Sequence, residues 1–262
     1  MSEEVITCEI ADGVATVTLN RPAAANAIDL ALGQGLMHAA IQVDEDPSVR
    51  AVLLTGAGKM FCAGGDLKSF ASQGDKVPAL LKELTTYLHA ATSRFARMDA
   101  PLIVAVNGMA AGAGFSIAVS GDLVLAAESA KFTMAYTGAG LSPDGSSSFF
   151  LPRLIGLRRT QELMITNRRL SAAEALDWGL VTQVVPDDEL AEKAGALARQ
   201  IAQGPTRAYG VVKQLLASST QESLETQMEL ESRGIASMAG SPDGREGIAA
   251  FVEKRAPKFS GA

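Results

Sequence analysis

Two glycine-containing turns are the segments of this sequence whose residue types point to chemistry. They span residues 61–67 (FCAGGDL) and 106–114 (VNGMAAGAG), and each lies between a predicted strand and a predicted helix. Small residues at a helix start leave backbone N–H groups unpaired, and the helix dipole favours negative charge there. If the turns face each other, they supply two N–H donors to one oxygen, which is the arrangement of an oxyanion hole. Close packing of helices on strands is the simpler explanation for either turn alone.

Motifs for other kinds of catalysis are missing from the sequence. His38 and His89 are the two histidines, both flanked by helix formers, so we predict no metal site and interpret each as an ordinary helix residue. A Ser-His-Asp triad would need one of them. The segment 112–114 lacks the third glycine of a dinucleotide-binding loop, because Ile117 takes its place. Neither a GxxxxGKS/T phosphate loop nor a GxSxG nucleophile elbow occurs, so redox-cofactor and serine-hydrolase chemistry are disfavoured.

Composition and charge exclude further classes. The 262 residues are 47% hydrophobic and 20% charged, which suits one large core with or without a small helical appendage. A net charge of -6 with scattered Lys and Arg disfavours nucleic acid as a partner. No apolar run approaches the ~18 residues of a membrane span, and Cys8 and Cys62 are too few for a disulfide framework. We therefore predict a cytoplasmic protein that binds neither nucleic acid nor membrane.

The order of the predicted elements indicates an α/β core in the first part of the chain. Alternating β-branched residues around Asp12-Gly13 predict a hairpin, and strands and helices then alternate up to residue 140. The predicted elements are strands at residues 5–10, 14–19, 51–55, 102–106 and 123–126, helices at 29–45 and 77–98, a short helix after the second glycine turn and an extended segment at Phe132.

Helices dominate the rest of the sequence. The predicted helices span residues 146–155, 159–166, 172–176, 187–203, 205–218, 223–239 and 242–254, and residues 181–185 are the one predicted strand among them. The helices beyond Asp187 are too apolar on one face to be a free tail. They must cover the core, a neighbouring subunit or both, and we expect an oligomer.

Four segments of the chain resemble the hallmark segments of the enoyl-CoA hydratase/isomerase (crotonase) family, in the family's order and spacing. They are residues 18–22 (TLNRP) with Asn26-Ala27, the turns 61–67 and 106–114, and residues 246–255 (EGIAAFVEKR). The resemblance implies an α/β fold in which residues 1–200 form a crotonase-like spiral of ββα repeats with the acyl-CoA site. It also implies a C-terminal helical oligomerisation region at residues 201–262 that forms homotrimers or dimers of trimers.

The family resemblance assigns roles to individual residues. The oxyanion-hole N–H groups fall on Gly65 and Ala113, and alanine at the second position changes little because the donor is the main chain. Coenzyme A is part of the acyl-CoA substrate, so no separate cofactor is implied. The implied substrate-binding positions are Ala25, Ala63, Gly64, Asp66, Leu67, Lys68, Gly112, Tyr136, Phe251 and Lys254. In the family, the positions of Phe251 and Lys254 reach the nucleotide end, often from an adjacent subunit, although a plain surface lysine explains Lys68 or Lys254 equally well.

Departures from the family pattern decide the expected reaction. Hydratases of the family use two glutamates to activate water, and those positions hold Ser116 and Tyr136 here. A hydroxyl is a poor general base at pH 7, since even a tyrosine has an ordinary pKa of about 10. Asp144 occupies the place where the family's isomerases, including the ring-opening type of phenylacetate breakdown, carry their acid/base residue. The resemblance therefore implies an enoyl-CoA isomerase in which Asp144 moves a proton between two carbons.

Alternatives remain open at this level. Taken alone, Asp144 is better explained as the N-cap of a helix that begins at Gly145. Within the family, Asp144 and an ordered water would serve a hydratase or a thioester hydrolase. A protein that binds acyl-CoA without turnover is the alternative from another class, whereas decarboxylation and dehalogenation have no distinguishing residue. We expect Met134, Phe149 and Phe150 to form apolar walls around Asp144.

Overall fold

The computed structural model describes residues 4–262, and this range folds into nine β-strands and ten α-helices. The strands are β1 (Ile6–Ala11), β2 (Val14–Leu19), β3 (Ala51–Gly56), β4 (Leu102–Val106), β5 (Met109–Ala111), β6 (Leu123–Ala127), β7 (Lys131–Thr133), β8 (Leu170–Ser171) and β9 (Gln183–Val185). The helices are α1 (Leu30–Glu45), α2 (Leu67–Ala71), α3 (Val77–Arg97), α4 (Ala113–Ala118), α5 (Ser147–Thr166), α6 (Ala172–Asp177), α7 (Leu190–Ala202), α8 (Thr206–Ser218), α9 (Leu224–Ala239) and α10 (Pro242–Glu253).

The larger of two sheets forms the centre of the core, with six strands in the order β1-β2-β3-β4-β6-β9. Strands β1 and β2 form the antiparallel hairpin predicted around Asp12-Gly13, and all other neighbours in this sheet pair in parallel. Every residue of β4 is buried, as expected for a parallel strand covered on both faces. Helix α1 packs on β1, β2 and α3, while α7 packs on β3 and β4.

A second sheet, with strand order β5-β7-β8, gives the chain a repeating path. The chain passes from β4 to β5 and then α4, and from β6 to β7 and then α5. Isolated parallel bridges pair Ile28 with Gly65 and Cys62 with Ala110, so the segments after β2 and β3 extend the second sheet in the same way. Each turn therefore contributes one strand to each sheet and then a helix, which is the predicted spiral of ββα repeats.

Helices α8, α9 and α10 follow the spiral, and buried polar contacts attach α8 to it. Lys213 of α8 is buried, donates to the main-chain oxygens of Phe95 and Ala100, and pairs with Asp122 at 2.9 Å. By contrast, α9 contains no buried residue, and its Leu224 is 70% exposed. Among the C-terminal helices, α8 is therefore bonded to the spiral, whereas α9 leaves apolar side chains exposed.

The structure departs from the predicted elements in several short segments. Helix α5 joins the helices predicted at residues 146–155 and 159–166, with Gly156 in a non-helical conformation between them. The prediction of a single strand after residue 146 is wrong, because β8 pairs with β7. Strands β5 and β8 and helix α2 are too short to leave a periodic pattern. Residue 200 lies within α7, and the division of the chain there stays a prediction. Within residues 4–262, no helix has the length and apolar character needed to cross a membrane.

Candidate active site

The two glycine turns lie side by side and are joined by main-chain hydrogen bonds. Cys62 N–H donates to the carbonyl oxygen of Met109, and Ala111 N–H donates to that of Cys62. Gly64 has a φ of +93°, and a Cβ there would lie 2.8 Å from the oxygen of Ala111, so only glycine fits. A Cβ at Gly114 would overlap with the oxygen of Cys62. Close packing does explain these glycines, and it also holds the turns against each other.

The N–H groups of Gly65 and Ala113, the predicted oxyanion-hole donors, are among the amides that these turns leave without an acceptor. The adjacent amide of Gly112 is already bonded to the oxygen of Thr133. No acceptor within residues 4–262 bonds the amide of Gly65 or of Ala113, and both residues line one cavity. Ala113 is also the first residue of α4, where backbone N–H groups have no partner inside the helix. Both predicted donors therefore lie beside one cavity without an acceptor, and their role as an oxyanion hole stays a prediction.

Asn26, which has no individual role in the sequence analysis, supports the first turn. Its side chain is fully buried, and its amide nitrogen contacts the oxygens of Ala57, Met60 and Phe61 at 2.9, 2.8 and 3.1 Å. The Cys62 thiol donates to the main-chain oxygen of Asn26 at 3.1 Å. Burial raises the pKa of the Cys62 thiol to about 12, so the thiol stays protonated and remains a donor. Only the fold reveals which carbonyl groups the asparagine satisfies.

A cavity of about 380 Å³ lies between the glycine turns, α3 and the loop of residues 134–146. Leu81, Thr85 and Leu88 follow helical spacing along α3 and form one wall. The Thr85 hydroxyl donates to main-chain oxygens of α3, so this wall presents mainly apolar surface. Asp144 is the one carboxylate in the lining that the described residues form. The cavity thus combines apolar surface, a single acidic group and the two available amides.

The carboxylate of Asp144 faces this cavity rather than the start of α5. Tyr136 donates its hydroxyl hydrogen to Oδ1 at 2.6 Å, and His89 Nε2 lies 3.8 Å from Oδ2. Ser146 occupies the N-cap position of α5 with a φ of +76°, and no side chain caps that helix. The Ser147 hydroxyl donates to the main-chain oxygen of Asp144. The N-cap explanation of Asp144 is therefore wrong, because the chain reverses before the helix and leaves the carboxylate in the cavity.

Ser116 and Tyr136, which the family resemblance assigns to the glutamate positions of hydratases, contact each other. Their hydroxyl oxygens lie 3.2 Å apart, and Ser116 is fully buried in α4. Burial, followed by the adjacent Asp144 carboxylate, raises the pKa of Tyr136 above its ordinary value. Tyr136 therefore stays protonated at neutral pH and is no general base, although its side chain lines the cavity. The glutamate pair of a hydratase has no chemical substitute at these two positions.

His89, which the sequence predicts to be an ordinary helix residue, is exposed and lies beside Asp144 without lining the cavity. Besides its contact with Asp144, its Nε2 accepts a hydrogen bond from Gly145 N–H at 3.4 Å. His89 continues the four-residue spacing of Leu81 and Thr85 along α3, so it lies on the side of the helix that faces the cavity. That spacing is a usable signal. The sequence does not show, however, that the loop of residues 134–146 lies beside it.

The other residues predicted to bind substrate fall into two groups. Ala63, Gly64, Leu67 and Gly112 line the cavity, whereas Ala25, Asp66, Lys68, Phe251 and Lys254 do not. Asp66 accepts the Ser69 N–H at the start of α2 and pairs with Arg21 at 3.3 Å. Phe251 is 85% exposed on α10. Contact of the second group with coenzyme A stays a prediction.

The expectation of apolar walls from Met134, Phe149 and Phe150 is wrong. None of the three lines the cavity within the described part of the chain. Met134 is fully buried in the core, and the rings of Phe149 and Phe150 pack edge to face with centres 5.2 Å apart. The residue at which α5 begins determines which side of its first turn faces the cavity. That start depends on the chain reversal at Ser146, which the sequence does not reveal.

The fold and the site together define a class of protein. The α/β spiral is the architecture of the crotonase-type acyl-CoA enzymes, and in this chain it brings two glycine turns and a carboxylate to one cavity. The family model for enoyl-CoA hydratase/isomerase matches residues 9–262, and the chain belongs to this family.

Individual relatives carry different reactions in their names. The chain is 42% identical to 1,2-epoxyphenylacetyl-CoA isomerase of Escherichia coli (strain K12), over 98% of this chain and 99% of that protein. It is 35% identical to 4-chlorobenzoyl coenzyme A dehalogenase-2 of Arthrobacter sp, over 97% and 92% of the two chains. The solved structure of an enoyl-CoA hydratase from Bacillus anthracis superposes with a TM-score of 0.92 at 35% identity, covering 98% and 100%. The predicted crotonase-like fold is confirmed, whereas membership of the family leaves the reaction open.

Proposed function

We propose that this protein is an enoyl-CoA isomerase, which moves a double bond within an acyl-CoA thioester. The observation that carries the proposal is the single carboxylate, Asp144, in the cavity that the described residues form next to the amides of Gly65 and Ala113. Ser116 and Tyr136 stand where a hydratase would carry glutamates, so the pair that activates water is missing there. One carboxylate is enough to move a proton between carbons.

The proposed reaction begins with the thioester oxygen between the N–H groups of Gly65 and Ala113. Negative charge develops on this oxygen as the enolate forms, and losing one such donor typically costs about 2.7–4 kcal/mol of transition-state stabilisation. Asp144 accepts the proton that leaves one carbon and returns it to another carbon of the allylic system. The proton moves from carbon to carboxylate and back to carbon, so substrate and product have the same composition.

The substrate that we propose carries a compact, mainly apolar acyl group. The cavity of about 380 Å³ and the leucines Leu81, Leu84 and Leu88 suit such a group. The 42% identity to a protein named 1,2-epoxyphenylacetyl-CoA isomerase supports a ring-derived acyl group and a place in phenylacetate degradation. The location that we propose is the cytoplasm. Coenzyme A enters as part of the substrate, and the proposal includes no separate cofactor. Residues 4–262 contain no cluster of three or more His, Cys, Asp or Glu side chains suited to a metal ion.

The assembly that we propose is a homotrimer or a dimer of trimers, in which Phe251 and Lys254 reach the coenzyme A of a neighbouring subunit and Lys68 contacts it within the subunit. Support comes from α10, where Phe251 and Val252 are 85% and 74% exposed although both are apolar. Sedimentation equilibrium at several protein concentrations checks this part of the proposal. A monomer at all concentrations would contradict it.

Hydration or thioester hydrolysis with Asp144 and a water molecule is the second candidate. It is favoured by one specific observation, the position of His89 Nε2 at 3.8 Å from Asp144 Oδ2. A second polar group beside a carboxylate can hold and help to activate a water molecule. The two candidates predict different products, because hydration adds the mass of water, hydrolysis releases free coenzyme A, and isomerisation leaves the mass unchanged.

The deciding experiment incubates the purified protein with a cis-3-enoyl-CoA and with a trans-2-enoyl-CoA and follows the products by mass and absorbance. We expect conversion without change of mass, and we expect it to fall by at least about 100-fold in Asp144→Asn. Glu83→Gln is the matched control, because it neutralises an exposed carboxylate on α3 that does not line the cavity.

Other outcomes contradict the isomerase proposal. Gain of water or release of free coenzyme A would support the second candidate. Activity that survives in Asp144→Asn would remove Asp144 from the mechanism. Tight binding of acyl-CoA without turnover, unchanged in Asp144→Ala, would indicate a binding protein.

A further inference from the structure

A chain of hydrogen bonds connects α4 to the carboxylate of Asp144. Ser116 lies in α4, one helical turn after Ala113, and its hydroxyl oxygen is 3.2 Å from that of Tyr136. The Tyr136 hydroxyl in turn lies 2.6 Å from Asp144 Oδ1. The two residues at the hydratase glutamate positions thus link the helix of one proposed oxyanion-hole amide to the proposed acid/base residue.

The direction of each hydrogen bond follows from the available hydrogens. The Tyr136 hydroxyl donates its one hydrogen to Asp144 Oδ1, so its oxygen can only accept in its contact with Ser116. The Ser116 hydroxyl also lies 3.3 Å from the main-chain oxygen of Gly112, which accepts the Ser116 N–H at 3.0 Å and has a second lone pair. Ser116 therefore shares its hydroxyl hydrogen between Gly112 and Tyr136. Tyr136 remains a donor over the working pH range, because burial and the neighbouring carboxylate raise its pKa.

We propose that Ser116 and Tyr136 are positioning residues that orient Asp144 for proton transfer, an inference that rests on the proposed isomerase function. The hydrogen-bond chain holds Asp144 Oδ1, whereas Asp144 Oδ2 accepts no hydrogen bond from the part of the protein that the structure describes. Oδ2 is therefore the oxygen that exchanges the proton with the substrate. Holding a reacting group in its productive orientation accelerates the chemical step rather than binding.

Because of this chain, α4 sets both ends of the proposed reaction. The helix begins at Ala113, whose N–H meets the thioester oxygen, and it carries Ser116 on its next turn. Ser116 is fully buried, so it provides a fixed anchor for the Tyr136 hydroxyl. The role of Tyr136 then differs from the direct substrate binding implied by the family resemblance, because its one hydroxyl hydrogen is committed to Asp144.

Steady-state kinetics of Tyr136→Phe, Ser116→Ala and the double variant test the proposal. In Tyr136→Phe, we expect kcat to fall by about 10- to 100-fold while KM changes by less than about threefold, since a misplaced catalytic group slows chemistry more than binding. In Ser116→Ala, we expect kcat to fall by about 3- to 10-fold. The double variant should behave like Tyr136→Phe, because removing a second link from a broken chain adds little.

A matched control separates the chain from the general effect of losing a tyrosine hydroxyl. Tyr87→Phe removes a hydroxyl that donates to the Glu83 carboxylate at 3.3 Å outside the cavity lining, and we expect its kcat to equal that of the wild type. A rise in KM with unchanged kcat in Tyr136→Phe would overturn the proposal in favour of direct substrate contact. Full additivity in the double variant would overturn the idea of a connected chain. A lower thermal midpoint with unchanged kcat would show a merely structural role.

Crystal structures of the variants distinguish failure of this inference from failure of the isomerase function. We expect the Asp144 carboxylate to rotate or shift in Tyr136→Phe and to keep its position in Tyr87→Phe. An unmoved carboxylate in Tyr136→Phe overturns the positioning role whatever the kinetics show. If the wild type converts no enoyl-CoA but the carboxylate still moves, the isomerase function fails and the positioning chain stands.

Discussion

The two sides of the cavity are built in different ways. On one side, main-chain hydrogen bonds join the turns 61–67 and 106–114, and the groups that we propose to meet the ligand are the main-chain amides of Gly65 and Ala113. On the other side, the loop 134–146 presents side chains, above all the carboxylate of Asp144. The positive-φ residues of this loop are Ala135, Gly140, Gly145 and Ser146. For a residue other than glycine, such a conformation costs about 1–3 kcal/mol and persists only where the surroundings enforce it.

The difference shows which parts of the site depend on side-chain identity. A main-chain donor does not depend on its own side chain, so alanine at Ala113 retains the N–H that glycine would offer. A side-chain acid/base depends both on the residue type and on the path of the loop that carries it. In our proposal, the turns therefore activate any suitable thioester, whereas the loop with Asp144 decides between isomerisation and hydration.

The largest effect is expected from disturbing the main-chain side of the cavity. Gly64→Ala places a Cβ 2.8 Å from the oxygen of Ala111 at a φ of +93°, so the turn must shift and the Gly65 amide moves with it. We expect kcat/KM for enoyl-CoA conversion to fall by about 100- to 1,000-fold, the usual effect of losing an oxyanion-hole donor. Gly74→Ala is the matched control, since Gly74 has a φ of +51° with no atom within 4 Å of the added Cβ. Wild-type kcat/KM in Gly64→Ala would show that the turn adapts.

A smaller effect, on stability, is expected from the support beneath the first turn. Asn26→Ala leaves the buried carbonyl oxygen of Phe61 and the partly buried ones of Ala57 and Met60 without their donor. We expect the free energy of unfolding, measured by urea denaturation, to fall by about 2–4 kcal/mol. Asn20→Ala is the control, because its amide makes one exposed hydrogen bond, and we expect a change of less than about 0.5 kcal/mol. A loss in Asn26→Ala no larger than that of the control would mean that other contacts hold the turn.

The variant His89→Gln tests whether Asp144 is the only acid/base group on the side of the cavity formed by the loop 134–146. For isomerisation by Asp144, we expect His89→Gln to lower kcat by less than about tenfold, because its Nε2 is a neighbour of the carboxylate at 3.8 Å and not the proton carrier. His38→Gln, on the exposed side of α1, should have no effect. A fall in kcat of about 100-fold or more in His89→Gln, the size of a general acid–base contribution, would instead favour hydration or hydrolysis with His89 as a partner.

The smallest change is expected from a thiol reagent directed at Cys62. Burial raises the pKa of Cys62 to about 12, so almost no thiolate is present at pH 8, and the side chain is fully buried. We expect iodoacetamide to leave the Cys62 peptide unmodified in the folded protein and to modify it in urea, as measured by peptide mass. The half-buried Cys8 provides an internal comparison. Rapid modification of Cys62 in the folded protein would show that the turns 61–67 and 106–114 separate far enough to expose the thiol.

Long elements of the fold follow from local sequence patterns. The hairpin β1–β2, helix α1, strands β3 and β4 and helix α3 agree with their predicted positions to within one or two residues. Buried parallel strands and amphipathic helices leave a clear hydrophobic period, which explains this agreement. β8 has two residues and no period, and its place depends on pairing with β7. Long-range pairing of this kind leaves no local trace.

The candidate site is less accessible to sequence reasoning than the fold. Gly65, Ala113 and Asp144 were assigned by the family resemblance, since residue types alone favoured close packing for the turns and an N-cap for the aspartate. The structure overturns the N-cap because Ser146, and not Asp144, occupies that position. His89 was interpreted as an ordinary helix residue because nothing in the sequence indicates which loop its helix faces.

By itself, the sequence determined the α/β alternation and the two turns of small residues after buried strands, because residue type and local spacing decide these features. The lack of a glutamate pair at Ser116 and Tyr136 follows only from the resemblance to the family. Only the tertiary structure decided which groups meet. It joins the turns to each other, aims the Asp144 carboxylate into the cavity, and places Ser116 and His89 around it. Ser116 and Tyr136 are 20 residues apart, and His89 and Gly145 are 56 apart. Contacts over such separations depend on how helices and loops pack, and that packing is set by the whole core rather than by any local pattern.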